Sequence, residues 1–212
     1  MIHAYDITTY GERIAEVYDQ WPGVPQNTEA VVTCLTRLAG GGPVLELGIG
    51  TGRIALPLAQ RSFSVHGIDA SPAMVELARA RGVIATRMAI EDLDRVHGRF
   101  EGAISNFGAL NCVSDLRAVA RELGRLLQPA SPLAVCLISR FCLQETFSSL
   151  SRLEVRKAFR RWPGKTRWRG IDIYYRTPRD VRKSFEPWFE FCRRVSIGGG
   201  DHELFLFERR TS

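Results

Sequence analysis

The sequence predicts an α/β fold built on a doubly wound, mostly parallel sheet with helices on both faces. Up to Ile138, short apolar runs alternate with amphipathic segments, which is the pattern of parallel strands joined by crossover helices. Two strand-like segments near the end of the chain flank Gly198–Gly200, which predicts an antiparallel hairpin at the sheet edge. The 212 residues are 45% hydrophobic and 25% charged, as expected for one globular domain.

Five apolar runs predict the parallel strands. They lie at Pro43–Leu47, Ser64–Asp69, Gly82–Met88, Phe100–Ser105 and Leu133–Ile138. Helices are predicted between them at Arg53–Arg61, Pro72–Arg81 and Leu116–Leu127. Ser71 before Pro72 is typical of a helix start, and Asp115 can cap the third helix.

The pattern changes after Arg140. We expect a basic helix over Phe141–Arg161, a polar loop over Pro163–Gly170 and a strand over Ile171–Arg176. A second helix is expected from Pro178 to about Trp188, followed by the two hairpin strands, Phe189–Ile197 and Glu203–Arg209. From Arg140 to Arg194, 15 Lys and Arg residues stand against 6 Asp and Glu. Both a solvated face and attraction to an anionic substrate or nucleic acid stay open as the reason for this charge.

Composition also excludes several classes of protein. No run reaches the roughly 18 apolar residues of a membrane span, and Met1 to Gly11 has no basic patch followed by an apolar stretch that would direct export. The five cysteines are widely spaced, without a CxxC pair. We therefore expect a cytoplasmic protein with reduced thiols, no metal site and no membrane partner.

The most specific motif is the segment Glu46-Leu47-Gly48-Ile49-Gly50-Thr51-Gly52, which lies directly between the first strand and the first helix. Its alternate glycines allow positive φ angles and leave no side chain between the backbone and a ligand. The helix that follows offers unpaired N–H groups. A turn of this kind binds a ligand closely.

The spacing of the motif discriminates between ligands. A dinucleotide fingerprint is GxGxxG, whereas this motif is GxGxG with the carboxylate of Glu46 two residues before the first glycine. That charge would repel a pyrophosphate and suits an ammonium group. Asp69, at the end of the second strand, can accept hydrogen bonds from both ribose hydroxyls. An adenosine with a free amino acid and no phosphate, S-adenosylmethionine, meets these demands.

The segments VLELGIGTGRIALPLA and VHGIDASPAMVELAR resemble the glycine-rich motif and the acidic loop of class I S-adenosylmethionine-dependent methyltransferases. The resemblance covers about Val44 to Ile138. It implies a single domain with a Rossmann-like, seven-stranded sheet whose last strand is antiparallel, in agreement with the hairpin.

The resemblance also implies the cofactor contacts. It places four residues around the methionine part of the cofactor, and these are Glu46, Gly48, Gly50 and Gly52. Asp69 would bind the ribose, and Ala70 and Met74 would lie against the adenine. The adenine edge would be read by the loop with Ala89, Ile90 and Glu91, through Glu91, Asp92 or backbone atoms. Asn106 and Phe107 would line the channel between the sulfur and the acceptor.

The acceptor pocket is expected to form from the flanking segments. We expect a helical lid over residues 1–40, a cofactor-binding core over 41–139, a substrate cap over 140–188 and the terminal hairpin over 189–210. The predicted substrate-binding residues are Tyr10, Tyr18, Trp21, Asn111, Arg140 and Tyr174, with Tyr18 and Arg140 also the catalytic candidates. The arginines of the cap, among them Arg140 and Arg176, favour an anionic acceptor.

The predicted reaction is in-line methyl transfer to a nitrogen or oxygen atom of a small molecule. Such transfer depends on positioning, and it needs a base only where the acceptor is protonated. The sequence shows no catalytic dyad and gives His202 no role. An RNA methyltransferase that uses the basic cap, or a cofactor-binding protein without catalysis, stays an alternative, and the chain would be a monomer or a homodimer.

Overall fold

The computed structural model describes residues 7–20, 32, 42–168, 170–197 and 200–211, without the side chains of residues 7–10, 13 and 16. Two predicted substrate contacts, Trp21 and the side chain of Tyr10, therefore lie outside the described residues. So does most of the glycine link, at Gly198 and Gly199.

Nine strands are formed by the described residues. They are β1 (Pro43–Leu47), β2 (Ser64–Asp69), β3 (Ile84–Arg87), β4 (Gly102–Ser105), β5 (Pro132–Ile138), β6 (Lys165–Trp168), β7 (Ile171–Tyr174), β8 (Phe189–Ile197) and β9 (His202–Arg209). Seven make one sheet in the order β3-β2-β1-β4-β5-β9-β8. The first five run parallel, and β9 is antiparallel to both β5 and β8. The predicted doubly wound sheet with its terminal hairpin is confirmed.

Seven α-helices are formed within the same residues. They are α1 (Ile7–Tyr18), α2 (Ala55–Ala59), α3 (Pro72–Ala80), α4 (Leu116–Leu126), α5 (Leu143–Ser151), α6 (Val155–Ala158) and α7 (Pro178–Phe185). Ser71 and Asp115 cap α3 and α4 as predicted: Ser71 accepts from the Met74 N–H, and Asp115 accepts from the N–H groups of Arg117 and Ala118. No described helix is long and apolar enough to cross a bilayer.

The cap differs most from the sequence prediction. The single helix expected over Phe141–Arg161 is divided into α5 and α6, because Leu153 between them adopts a left-handed φ of 60° that a continuous helix cannot contain. The polar loop expected over Pro163–Gly170 contains strand β6, which pairs antiparallel with β7. Residues 165–168 form a strand because they pair with β7, and the polar local sequence does not indicate that pairing.

Smaller corrections concern element ends. β3 begins at Ile84 because the N–H groups of Gly82 and Val83 are used to cap α3, on the carbonyls of Arg79 and Ala78. α2 is shorter than predicted, since the glycine turn extends to Ile54. Its Pro57 lies in the first turn, where no helical N–H bond is lost.

The sheet separates two apolar cores. One core packs α4 and α7 against one face. Its five buried phenylalanines are Phe100, Phe185, Phe189, Phe205 and Phe207. The other packs α2 and α3 against the opposite face. Both cores leave the carboxyl ends of β1, β2 and β4 together at one edge, where the loops that carry the predicted site emerge.

A close contact inside β2 makes the glycine turn sensitive to this strand. A β-carbon added at Gly67 would lie 2.0 Å from Cδ1 and 2.6 Å from Cβ of Ile49, a residue of the turn. We expect Gly67→Ala to lower the free energy of unfolding by about 1–3 kcal/mol, because the turn must move away from the strand. Urea unfolding measures the loss. Ser64→Ala, on the exposed start of β2, is the control, and an equal loss in both variants would contradict the argument.

Candidate active site

The turn between β1 and α2 has the backbone that its glycines predict. Gly48, Gly50 and Gly52 have φ angles of 70°, 53° and 80°. The N–H groups of Gly48 and Ile49 both donate to the carbonyl of Ile68 at 2.9 Å, which fixes the turn to the end of β2. A residue with a β-carbon would be strained at each of these glycines.

Gly48 and Gly50 are required for different reasons. A β-carbon at Gly48 would lie 2.3 Å from the β-carbon of Ala109, so this glycine lets two loops pack together. A β-carbon at Gly50 would meet only Cε1 of Tyr18, at 3.9 Å. Gly50 therefore borders open space beneath the Tyr18 ring, and this is where the turn can receive a ligand.

Asp69 holds the turn and α3 together. One carboxylate oxygen accepts from the Gly50 N–H and the other from the Ser71 N–H, both at 2.9 Å. Burial raises the pKa of Asp69, and these two hydrogen bonds offset part of the rise. Each oxygen keeps a lone pair for a further donor, so the carboxylate is oriented for a ligand.

Glu46 is the most unusual acid of the site. Its side chain is 2% exposed, and Oε2 has no hydrogen-bond partner. Burial raises the pKa of Glu46 well above the ordinary value, the negative charge of Asp69 raises it further, and the N–H of Ala55 offsets part of the rise. A buried carboxyl group with an unpaired oxygen beside a second acid is a site for a cation.

Asn106 and Phe107 follow β4 at the same edge of the sheet. Asn106 is 4% exposed, and neither its amide oxygen nor its amide nitrogen has a partner. Phe107 adopts a φ of 49°, a conformation that costs a bulky residue on the order of 1–3 kcal/mol. Unpaired buried polar atoms beside a strained residue are typical of a binding site.

The expected adenine loop lies near a thiol that the sequence did not single out. Burial, with the charges of Glu91 and Asp69, raises the pKa of Cys112 to about 11. Cys112 thus lies within electrostatic range of both Glu91 and Asp69, so the two acids border the same region. At neutral pH only about one thiol in ten thousand is ionised, so Cys112 is a poor nucleophile.

The other predicted adenine contacts are half-buried or buried. Ala70 and Ala89 are half-buried and Ile90 is buried. Met74 is buried against Ile14 and Ala15 of α1, so its side chain supports the lid. Adenine contact by these residues stays a prediction.

Helix α1 is fastened to the turn by Asp19. Its carboxylate accepts from Oγ1 of Thr51 at 2.7 Å and from Nε and Nη2 of Arg53 at 3.2 and 2.9 Å, and it pairs with Arg81. The preceding residue, Tyr18, lies over Gly50. The lid position predicted for Tyr18 therefore rests on an ion-pair cluster that the sequence did not indicate.

Three predicted substrate contacts take part in internal hydrogen bonds. The Asn111 amide donates to the carbonyls of Ile138 and Tyr174 and accepts from the Ile138 N–H, so its polar atoms are occupied. Arg140 donates from Nε and Nη2 to the carbonyl of Trp162, at 3.2 and 2.7 Å. Tyr174 lies in the two-stranded cap sheet, with the ammonium group of Lys165 4.9 Å from its ring centre.

Arg176 is likewise used inside the protein. Its guanidinium donates to the carbonyls of Leu110, Val113 and Ser114, which closes the loop after β4. Both guanidinium groups hold backbone carbonyls, which leave their positive charge in place, so attraction of an anionic acceptor by Arg140 and Arg176 stays a prediction.

A histidine–aspartate pair lies beside Phe107. Nδ1 of His202 is 3.0 Å from Oδ2 of Asp201, and the His202 ring stands edge-on to the Phe107 ring at 6.2 Å between centres. Among the described residues Nε2 of His202 has no hydrogen-bond partner. The bond to Asp201 places the proton of the neutral ring on Nδ1 and leaves Nε2 as an acceptor.

Arg161 orients this pair from the opposite side. It is buried, donates from Nη2 to Oδ1 of Asp201 at 2.6 Å and also pairs with Glu145. The hydrogen bond from His202, together with Arg161, lowers the pKa of Asp201 despite burial. Ligand atoms of Cys142, Glu145 and Asp201 lie within 4.8 Å of one another, but both carboxylates already pair with Arg161, and Glu145 also pairs with Arg160.

The strand order brings Asp201 and His202, which the sequence analysis did not identify, to the ligand edge of the sheet. Asp201 and His202 begin β9, and because β9 is antiparallel to β5, His202 pairs with Ile138 at the carboxyl end of β5. The predicted hairpin contained this information, since the start of an antiparallel last strand lies at the ligand edge. Asp19, Cys112 and Arg161 had no comparable signal in the sequence.

Comparisons with known proteins find similarity to methyltransferases. A family model described as a methyltransferase domain matches residues 44–130. The chain is 35% identical over 102 residues to the ubiquinone/menaquinone biosynthesis C-methyltransferase UbiE of Citrifermentans bemidjiense, and the alignment covers 43% of each protein. The chain thus spans less than half the length of that relative.

Solved structures share the fold over nearly the whole chain. The CcbJ methyltransferase from Streptomyces caelestis superposes with a TM-score of 0.76 at 22% identity, covering 98% of this chain and 100% of that one. The N-methyltransferase NodS from Bradyrhizobium japonicum WM9, solved in complex with S-adenosyl-L-homocysteine, gives a TM-score of 0.69 at 17% identity, covering 97% and 99%.

The Asp19 cluster predicts how the lid is held. Asp19→Ala removes the acceptor and leaves Arg53 and Arg81 facing each other, so we expect the free energy of unfolding to fall by about 2 kcal/mol and the amides of α1 to exchange faster. Burial raises the pKa of Asp19, but the bonds from Thr51, Arg53 and Arg81 lower it below its ordinary value. The stabilisation is therefore present at neutral pH and is lost as pH falls through that lowered pKa.

Urea unfolding and hydrogen exchange at neutral and acid pH test this. Glu12→Ala, an exposed acid on α1, is the matched control. Unchanged exchange in Asp19→Ala, or a difference between variant and parent that grows in acid, would contradict the proposed fastening.

Proposed function

We propose that the chain is a class I S-adenosylmethionine-dependent methyltransferase that methylates a nitrogen or oxygen atom of a small molecule. The observation that carries this proposal is the pair of acids, buried Glu46 and half-buried Asp69, beside a turn of three positive-φ glycines. The acids demand a positive charge, and the glycines leave room for a ligand close to the backbone.

The residues present fit S-adenosylmethionine. Glu46 Oε2, unpaired and buried, would receive the ammonium group. The oriented carboxylate of Asp69 would bind the ribose hydroxyls, and the buried amide of Asn106 would find the partners that it otherwise lacks. A dinucleotide fits less well, because its pyrophosphate would be brought towards the two acids.

When bound, S-adenosylmethionine supplies an electrophilic methyl group on a sulfonium centre, ready for in-line attack by an acceptor lone pair. Positioning that lone pair is work for the protein's own side chains. Tyr18 over Gly50 and Phe107 beside Asn106 would narrow the space around the reacting atoms and exclude water. The high pKa of Cys112 keeps a nearby thiol protonated and out of the reaction.

His202 would move the proton. Its Nε2 would accept the proton that an O–H or N–H acceptor loses, while Asp201, held by Arg161, stabilises the charged ring. A base of this kind is needed only where the acceptor is protonated at working pH, which favours a hydroxyl or an ammonium group as the methylated group.

Cofactor binding provides the first test. Glu46→Gln and Asp69→Asn should each weaken binding of S-adenosylhomocysteine by about tenfold or more, because each removes one charge-assisted hydrogen bond. The raised pKa of Glu46 adds a pH effect: below that pKa the free carboxyl group holds a proton, which binding of an ammonium group displaces. Affinity should therefore rise with pH through that raised pKa, with proton release.

Isothermal titration calorimetry in two buffers of different ionisation enthalpy measures both quantities. Glu76→Gln, an exposed acid on α3, should bind like the parent protein. Preferential binding of a nicotinamide dinucleotide, or unchanged affinity in Glu46→Gln, would overturn the cofactor assignment.

The second test concerns His202. With an acceptor found on a panel of phenols and amines, His202→Gln should lower kcat by about 10² to 10⁴ and leave S-adenosylhomocysteine affinity unchanged. For a nitrophenol that is already ionised at working pH, kcat should fall much less in His202→Gln, since this acceptor needs no base.

Asp201→Asn should give a smaller loss of the same kind, because it leaves the ring in place without its orienting carboxylate. His66→Gln, an exposed histidine on β2, is the control. If ionised and protonated acceptors lose the same factor, His202 has a packing role and the general-base assignment fails.

A further inference from the structure

The cap exposes an unusual amount of apolar surface. Seven large apolar side chains between positions 141 and 162 are exposed, and they are Phe141, Leu143, Phe147, Leu153, Val155, Phe159 and Trp162. We call this set the cap surface. Elsewhere in the described residues the exposed large apolar side chains, Val17, Ile84 and Val195, lie on three different elements. A concentrated apolar patch of this kind marks an interaction site.

Helix α5 is oriented with its apolar side outwards. Leu143 and Phe147, one turn apart, are 69% and 67% exposed, whereas Ser149 is 3% exposed. Glu145 on the inner side is held by Arg161. A surface helix normally buries its apolar residues, so the outer face of α5 lacks a partner within the described chain.

The aromatic part of the cap surface is held in a fixed arrangement. The Trp162 ring stands edge-on to Phe141 and Phe159, with centres 6.1 and 4.8 Å apart. Arg140 secures the group through its bonds to the Trp162 carbonyl and its position over the Phe141 ring. This cluster begins three residues after the end of β5, at the same edge of the sheet as the active site.

The charge of the segment is positive. Residues 141–162 contain five Arg or Lys residues and two Glu residues. Both acids are paired inside the segment, Glu145 with Arg160 and Arg161, and Glu154 with Lys157. Arg152 and Arg156 are exposed between the apolar side chains. Apolar and aromatic groups interspersed with cations match the boundary of an anionic bilayer.

We propose that the cap surface docks the protein on an anionic lipid membrane. Leucine and aromatic side chains would enter the headgroup region, and arginines would meet lipid phosphates. A second copy of the chain is a poorer occupant, because a two-fold contact would bring the same positive charge together from both sides. The sequence predicts no membrane partner because it lacks a span, but peripheral docking requires none.

Docking would place the active-site edge of the sheet next to the lipid surface. The proposal does not depend on methyl transfer, since it rests on the exposed surface of α5, α6 and their neighbours. It can therefore be tested with purified protein and no acceptor.

Flotation of the full chain with vesicles tests the proposal. We expect binding to vesicles of phosphatidylcholine with phosphatidylglycerol, little binding to phosphatidylcholine alone, and weaker binding at high salt. Leu143→Ser with Phe147→Ser should weaken binding about tenfold, and Arg152→Glu with Arg156→Glu by at least as much. All four side chains are exposed, so thermal unfolding should change little.

Matched controls lie outside the cap surface. Ile84→Ser with Val195→Ser removes two exposed apolar side chains, and Arg179→Glu with Lys183→Glu reverses two exposed charges on α7. Both should bind vesicles like the parent protein. Failure to bind the anionic vesicles overturns the proposal, as does equal weakening by the controls.

Two further measurements identify other occupants. Sedimentation that shows a dimer, lost in Leu143→Ser with Phe147→Ser, would assign the surface to a second copy. Binding to bulk RNA that depends on Arg152 and Arg156 but not on Leu143 and Phe147 would assign it to nucleic acid. Either result, without vesicle binding, replaces the membrane proposal while leaving cofactor binding untouched.

Discussion

A buried carboxyl group and a half-buried one beside the same glycine turn are the constraint around which this protein is arranged. Glu46 and Asp69 lie at the ends of adjacent parallel strands, so neither can move away from the other without breaking the sheet. Burial and mutual repulsion make their ionised forms costly, and the backbone N–H groups of the turn and of two helix starts offset only part of that cost. A cationic ligand can offset the rest of that cost, so the carboxylates that destabilise the free protein favour binding.

Arginines fix the loops around this edge. Arg53 and Arg81 join α1 to the turn through Asp19, Arg176 closes the loop after β4, and Arg161 links the cap to the start of β9. The planar guanidinium suits this work because it can donate to several carbonyl and carboxylate oxygens at once. Regional basicity in the sequence thus has two sources, internal fastening and an exposed cationic surface, which composition alone could not separate.

Core and cap follow opposite rules of burial. Each face of the seven-stranded sheet is covered by helices that turn their apolar residues inwards. In the cap, α5 turns leucine and phenylalanine outwards and keeps Ser149 inside. Since burial of apolar groups provides most of the stability of a small domain, exposing them at one edge costs stability. Their concentration beside the active site is consistent with selection for contact with another surface.

The sheet, the glycine turn and its two acids could be predicted from the sequence, because they depend on local pattern. That pattern consists of apolar runs, alternate glycines and capping residues such as Ser71 and Asp115. The sequence could not determine the division of the cap into α5 and α6, the pairing of β6 with β7, or the internal role of Arg140. The Asp201–His202 pair depends on where β9 starts against β5, and the Asp19 cluster joins residues more than thirty positions apart. Tertiary structure decided these because hydrogen bonds and ion pairs form between side chains that only the packed fold brings within reach.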